Sequence, residues 1–405
     1  MATIGISTPK QEVMAKANWV TRLQAARWLW LPTVVFVVTR LGIALAIYLA
    51  VPLFANYSPP TLYHLRPPDN LFVDVLGSRW DTGFYVSIVE EGYILHDVPL
   101  PNAAFFPLLP LLMRAITPLV GDALLAGIVV SNVALWLAAI LFYCLVEMSW
   151  GPKVADRAVW YLLIFPMAFF GSAVYTESLF LFTTIGALYF ARRGYWAMAA
   201  ILGIAATMTR FIGLIVAPML LLEWWLQWRA ARDGKRPSLL ALLAPLVTPL
   251  GTGAFMFYLW RKFGNALAFM DAASAWERVP QSPFITVAEL FQTPAEGWWR
   301  ALMAGHIHLD NWLDFSFIVV FLVLGLVLLY ERRWSEGLFV MLGVIIPFSS
   351  GLLMSQRRYM WVLFPVFILL ARWGDRPWVD RLITTVSLIG LAIFSALFAK
   401  GYWVA

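Results

Sequence analysis

Charge is scarce in this chain, and cysteine and histidine are nearly missing. Of 405 residues only 13% are charged, against about 25% in an ordinary soluble domain. That shortage excludes a water-soluble fold of this size. The single cysteine, Cys144, excludes an internal disulfide and argues against a cysteine metal site. Among four histidines, His306 and His308 stand at i, i+2, a spacing that suits neither face of a helix and reads as loop rather than as metal ligands. There is no Walker A loop, no glycine fingerprint after a strand and no internal repeat. What is present is oil: 61% hydrophobic residues, with 21 Trp and 29 Phe. Apolar runs near the length of a bilayer-crossing helix recur throughout, and the chain reads as an all-α polytopic membrane protein.

Its net charge of +6 is therefore no sign of nucleic-acid binding. Basic residues in such a chain mark cytoplasmic loops. Residues 1–30 are polar and basic and read as a cytoplasmic tail rather than a cleavable signal, with a short interfacial helix carrying Trp28 and Trp30. From 31 to 405 we read one transmembrane domain. Spans are expected near 31–54, 122–147, 154–173, 177–192, 239–260, 311–330, 337–353, 358–373 and 379–400. The run 196–228 is split at Arg210, giving about eleven in all. "AFFPLLPLLMRAITPLVG" is apolar but short and broken by proline, which suits an interfacial or re-entrant helix. With the N-terminus inside, Lys153/Arg157, Arg192/Arg193, "RAARDGKR" (229–236), "ERR" (331–333) and Arg372/Arg376 all fall inside. The 55–120 loop, "YTES" at 175–178, Arg210, the 261–310 loop and "SQRRY" at 355–359 fall outside. Any chemistry is expected on that face.

The most unusual external stretch is "RWDTGFYVSIVEEGY", residues 79–93. Trp80, Phe84, Tyr85, Ile88 and Val89 recur at helical spacing. Arg79, Ser87, Glu90 and Glu91 form the opposite arc, as in an amphipathic helix lying on the membrane surface. Asp81 does not belong to that arc. It falls on the apolar side, where a carboxylate is unfavourable unless capped, paired or used. It is either an N-cap for a helix starting at Thr82 or a base facing a cleft. Glu177 in "YTES" is an acid at membrane depth, either favoured by a helix N-terminus or functional. Arg210 interrupts apolar sequence, either to pair with Glu177 or to hold an anion. Arg357 and Arg358 diverge by about 100° on a helix, so at most one faces a shared site. Each suits either snorkelling or phosphate binding. The tryptophan clusters "EWWLQW" and "GWWR" read as interfacial belt.

In chain order, "RWDTGFYVSIVEEGY", "AFFPLLPLL", "FPMAFFGSAVYTESLFL", "TRFIGL" and "QRRYMWVLFP" resemble the PIG-V family of GT-C glycosyltransferases, the GPI mannosyltransferase 2 type. The resemblance runs from about residue 79 to 366. The chain departs from the family in reading Glu90-Glu91-Gly92-Tyr93 where Glu-His-Gly-Tyr is frequent, and its length suits a prokaryotic homologue. The resemblance implies a GT-C fold, with a catalytic acid in the first external loop that matches Asp81. It implies a polyprenyl-phosphate mannose donor, a lipid-linked glycan or glycolipid acceptor, and inversion at C1. Asp81 is then the general base. Arg210, Arg357 or Arg358 receives the phosphate, with Glu177, Trp80 and Tyr359 lining the substrate. No cofactor and no divalent metal is required, and nucleic acid is not a partner. The site faces outward from a bacterial cytoplasmic membrane, or into the ER lumen in a eukaryote. Two other classes stay open at this level: a lipid or sugar transporter, whose charges are expected to be spread through the spans, and a non-catalytic subunit.

Overall fold

The computed structural model describes residues 24–55, 70–96, 98–231, 236–307 and 309–404, and these contain helices and no strand. The N-terminal tail lies mostly outside the described residues, as do positions 232–235 of the basic loop. The first long helix, α1, is Arg27–Leu53. Trp28 and Trp30 belong to its first turn, not to a separate interfacial helix. Thr39, Ile43, Ile47 and Ala50 are buried along one side, while Val34, Val38, Leu41 and Leu45 are exposed along the other. A helix apolar on both sides, with one side uncovered, is a helix facing lipid.

After a short helix, Leu71–Gly77, comes α2, Thr82–Glu90. Here the surface-helix expectation fails. Every residue from Thr82 to Val89 is buried. Of the polar arc, Arg79 and Ser87 are taken up internally, while Glu90 and Glu91 at its C-terminal end are exposed. Arg79 precedes the helix and pairs with Asp74 at 2.6 Å. Ser87 accepts from Asn102 Nδ2 at 3.0 Å, and the Asn102 carboxamide also binds Gly92 O and the Ile94 amide. Phe105 stacks on Phe84, on the apolar face. Then follow α3 (Leu108–Val120) and α4 (Ala123–Trp150). Arg114 of α3 donates to the carbonyls of Ile88 and Val89, satisfying the C-terminal end of α2.

The helix α5 is Pro152–Ile164. The span expected over 154–173 is not one helix, because Pro166 stops it. Residues 165–176 run irregularly through the interior, where unpaired carbonyls are costly. Arg40 of α1 answers this: it donates to Leu163 O, Ala168 O and Ser172 Oγ. Asn132 of α4 accepts from Ser172 Oγ at 2.8 Å. The chain then enters α6 (Glu177–Arg192), which is buried on nearly all sides, followed by α7 (Trp196–Thr209). α7 ends at Arg210, whose backbone is extended (φ −157°, ψ 150°), and α8 (Val216–Ala230) begins after a 3-10 turn. Thus 196–228 divides where the sequence reading divides it. Gly213 permits the break. A Cβ there would lie 2.2 Å from Ala206 O and 2.5 Å from Ala206 C, both backbone atoms that cannot yield. Gly213→Ala is therefore expected to lower stability by about 1–3 kcal/mol and to displace Arg210. Thermal unfolding in detergent, with activity measured on the folded fraction, checks this.

The remaining labelled helices are α9 (Leu250–Phe263), α10 (Leu309–Tyr330), α11 (Trp334–Phe348), α12 (Gln356–Trp361), α13 (Pro365–Trp373) and α14 (Pro377–Ala399). Short helices at Ala268–Ser274, Pro283–Leu290 and Trp298–Ala304 fill the second long loop. Among the described residues, six helical segments are long and apolar enough to cross a membrane: 27–53, 123–150, 211–230, 239–263, 309–330 and 377–399. α6 packs on α4 and α7, α10 on α11, and α1 on α14. By these long apolar helices, this is an integral membrane protein. α6 also sets the distance between two charged clusters. Glu177 stands at its start. Arg192 stands near its end and pairs with Glu223 and Glu336. Sixteen residues separate the clusters by about 24 Å, most of a hydrocarbon core.

Candidate active site

Asp81 stands at the N-cap position of α2, yet its side chain makes no cap hydrogen bond. Its carboxylate turns instead toward α12, where Arg358 Nη1 donates to Asp81 Oδ2 at 2.9 Å. Arg358 is 5% exposed. Its Nε lies 3.3 Å from Glu177 Oε1, close enough for an ion pair though not aligned for a hydrogen bond. Glu177 is 1% exposed and accepts from Arg210 Nη1 at 2.8 Å. Asp81, Glu177, Arg210 and Arg358 thus form one alternating chain of charge: acid, arginine, acid, arginine. The Asp81 side chain is 25% exposed and the group opens onto a cavity of about 700 Å³. All four line it, with Tyr85, Tyr175, Arg278 and Tyr359. Isolated buried charges are costly and are tolerated when paired.

The backbone is forced into place around them. Among the described residues four non-glycine positions have left-handed φ: Trp80 (54°), Glu277 (59°), Arg332 (60°) and Ser355 (75°). Such strain costs about 1–3 kcal/mol each and concentrates at functional sites. Trp80 directly precedes Asp81, Glu277 directly precedes Arg278, and Ser355 starts the helix that carries Arg358. Tyr175 reinforces the first of these, its hydroxyl lying 3.3 Å from the Asp81 amide. Burial pushes the Tyr175 phenol well above its ordinary range, with the Asp81 carboxylate adding to the rise. Burial does the same to Tyr85. Both phenols line the cavity wall.

Two candidates from the sequence sit elsewhere. Arg357 points away from the cavity. It is buried with Asp314, whose Oδ1 receives both its backbone amide (2.8 Å) and its Nε (3.0 Å), and it also reaches Asp310. What sets it apart from Arg358 is position: it is absent from the cavity wall, and its guanidinium is engaged by Asp314 and Asp310. Trp80 is also off the cavity wall. Its ring packs against Trp403 at 4.8 Å, and it is Trp403, beyond α14, that lines the cavity. Tyr359 does face the cavity, and Arg210 lies over its ring at 4.7 Å. Sequence reasoning did not find Trp403 or Arg278. A tryptophan or arginine near a membrane interface looks like any belt residue until its neighbours are known.

Residues 68–227 match the mannosyltransferase (PIG-V) family. That stretch contains Asp81, Glu177 and Arg210, while Arg358 lies beyond it. The chain is also 32% identical over 178 residues to GPI alpha-1,6-mannosyltransferase 2 of Cricetulus griseus, covering 41% of this chain and 35% of that protein. The Mus musculus protein of the same name is 33% identical over 166 residues, 37% of this chain and 32% of its own. The chain therefore spans about a third of the curated relatives it matches. Among solved structures, ArnT from Cupriavidus metallidurans bound to undecaprenyl phosphate aligns over 90% of this chain and 76% of its own, with 11% identity and a TM-score of 0.49. The Archaeoglobus fulgidus oligosaccharyltransferase in its apo form aligns over 92% and 56%, with 12% identity and a TM-score of 0.43.

Proposed function

We propose that this chain is a GT-C type membrane mannosyltransferase. It moves mannose from a polyprenyl-phosphate mannose donor to a lipid-linked glycan or glycolipid acceptor, with inversion at C1. The observation that carries the reading is the convergence of Asp81, Glu177, Arg210 and Arg358, distant in sequence, on the wall of one cavity. The family match over 68–227 supports it. A transporter reading is favoured less, because the cavity charges gather at the start of α6, while the second cluster at its end is closed by its own ion pairs and does not line the cavity.

The chemistry follows from these groups. The acceptor hydroxyl oxygen attacks C1 as the C1–O bond to phosphate breaks, and the bonding pair leaves with the phosphate. Asp81 takes the hydroxyl proton, and its negative charge favours the oxocarbenium-like transition state. The leaving phosphate gains charge beside Arg358 and Arg210, where fixed cations stabilise it. Glu177 holds both arginines in register. A monophosphate leaving group can be neutralised by arginines alone, so no divalent metal enters this scheme. Basic residues in the opposite loops support an external cavity. The test is to give purified protein polyprenyl-phosphate mannose or polyprenyl-phosphate glucose with a lipid extract and identify products by mass spectrometry. A mannosylated lipid formed only with the first donor is expected. Glucosyl transfer alone overturns the choice of sugar, and no transfer from either overturns the donor class.

A further inference from the structure

Three guanidiniums gather around Tyr359: Arg210 at 4.7 Å from the ring centre, Arg358 at 5.4 Å and Arg278 at 5.6 Å. Only two carboxylates, Asp81 and Glu177, are interleaved with them, and these engage Arg210 and Arg358. Among the described residues Arg278 has no acidic partner. Its only polar contacts are long ones, to Ser350 Oγ at 3.4 Å and Met354 O at 3.3 Å. The nearby Asp271, on the cavity rim, is exposed and is held by Asn265 instead. Arg278 is half-buried and lines the cavity, so its charge can be met from inside it.

Its placement is built. Glu277 adopts φ 59° immediately before it. The following residues dock on the turn that leads into α12, with the Gln281 amide donating to Ser349 O at 3.0 Å. Gly351 allows the approach: it has φ 77°, and a Cβ there would stand 3.0 Å from Val279 O. The segment bearing Arg278 is thereby tied to the turn bearing Ser355 and Arg358.

We infer that Arg278 is the donor-phosphate binding residue of this cavity, contacting the anion in the ground state. Resting on the reading that the donor is a polyprenyl monophosphate, this divides the labour among the arginines. Arg358 and Arg210 are held by carboxylates and act where charge develops. Arg278 is free to close on the phosphate as it arrives. A guanidinium suits this task, since it presents a planar fork of donors to phosphate oxygens. Loss of Arg278 should then weaken binding without slowing the bound complex.

The experiment measures binding of citronellyl phosphate, a short polyprenyl monophosphate, to the full chain in detergent, with citronellol as the headgroup-free comparison. Wild type is expected to bind the phosphate and not the alcohol. Arg278→Gln, which keeps a hydrogen-bonding group on a shorter side chain but no charge, should weaken binding about 10- to 100-fold, the loss of one charged hydrogen-bonding group. Arg278→Lys should recover only part of it. In the transfer assay Arg278→Gln should raise KM by a similar factor and leave kcat within a few-fold. If Arg278→Gln binds as wild type does, Arg278 is not the phosphate residue, while the donor reading stands. If wild type itself fails to discriminate the phosphate from the alcohol, both fall together.

Discussion

Asp81→Asn should abolish most mannosyl transfer, lowering turnover by about 10²–10⁴-fold, while the protein stays folded and still binds donor. The substitution keeps the size of the side chain and an oxygen that can accept from Arg358 Nη1. It removes the charge and the ability to take a proton. As an N-cap, Asn would be nearly silent, since it caps about as well as Asp. The structure sharpens this comparison, because the Asp81 side chain makes no cap bond at all and its carboxylate reaches Arg358 across 277 positions of sequence. Turnover on the folded fraction, beside donor binding, checks the prediction. Near-wild-type transfer would remove Asp81 as the base and leave Glu177 as the next acid on the cavity wall.

The neighbouring arginines should separate by kind of damage. Arg358→Lys keeps one charge but cannot hold Asp81 and Glu177 in the same geometry. It should lower kcat by about 10²–10³-fold, the effect of losing a preorganised stabilising donor. Arg357→Ala should do the reverse. It leaves Asp314, 1% exposed, uncompensated in the interior, which costs about 3–5 kcal/mol of stability, yet kcat per folded molecule should hold. A thermal-unfolding series run beside single-turnover kinetics distinguishes the two. Equal kinetic losses in both variants would mean that Arg357 reaches the substrate after all.

How much of this could be read from sequence differs by element. The break at Arg210 was legible because a charge, Gly213 and Pro218 interrupt an apolar run too long for one span. The long lipid-facing helices were legible because their apolar runs match the bilayer. The 165–176 segment was not. Its residues are as apolar as a span, and what lets them leave the helix is Arg40 and Asn132, both distant in sequence and carrying no local mark of that role. α2 misled for a similar reason. Ser87 in its polar arc looks solvent-facing until Asn102 folds over it, and only Glu90 and Glu91 at the end of the helix stay exposed. At the site, Asp81, Glu177, Arg210 and Arg358 each stood out as charges in apolar surroundings. Which of two adjacent arginines faces inward depended on where Asp314 lies. Arg278 needed the three-dimensional pairing, because only then is it, among the described residues, the cavity arginine without an acid.

In the proposed reaction mannose passes directly from a lipid phosphate to an acceptor hydroxyl at this site. The measurement that tests it most directly follows polyprenyl phosphate release and mannosylated lipid together in one reaction of the purified chain, with the anomeric configuration of the product read by NMR. One polyprenyl phosphate should be released for each mannose transferred, with an α-linked product from the β-linked donor, and both signals should be lost in Asp81→Asn. Release without transfer, or a β-linked product, would contradict that reaction.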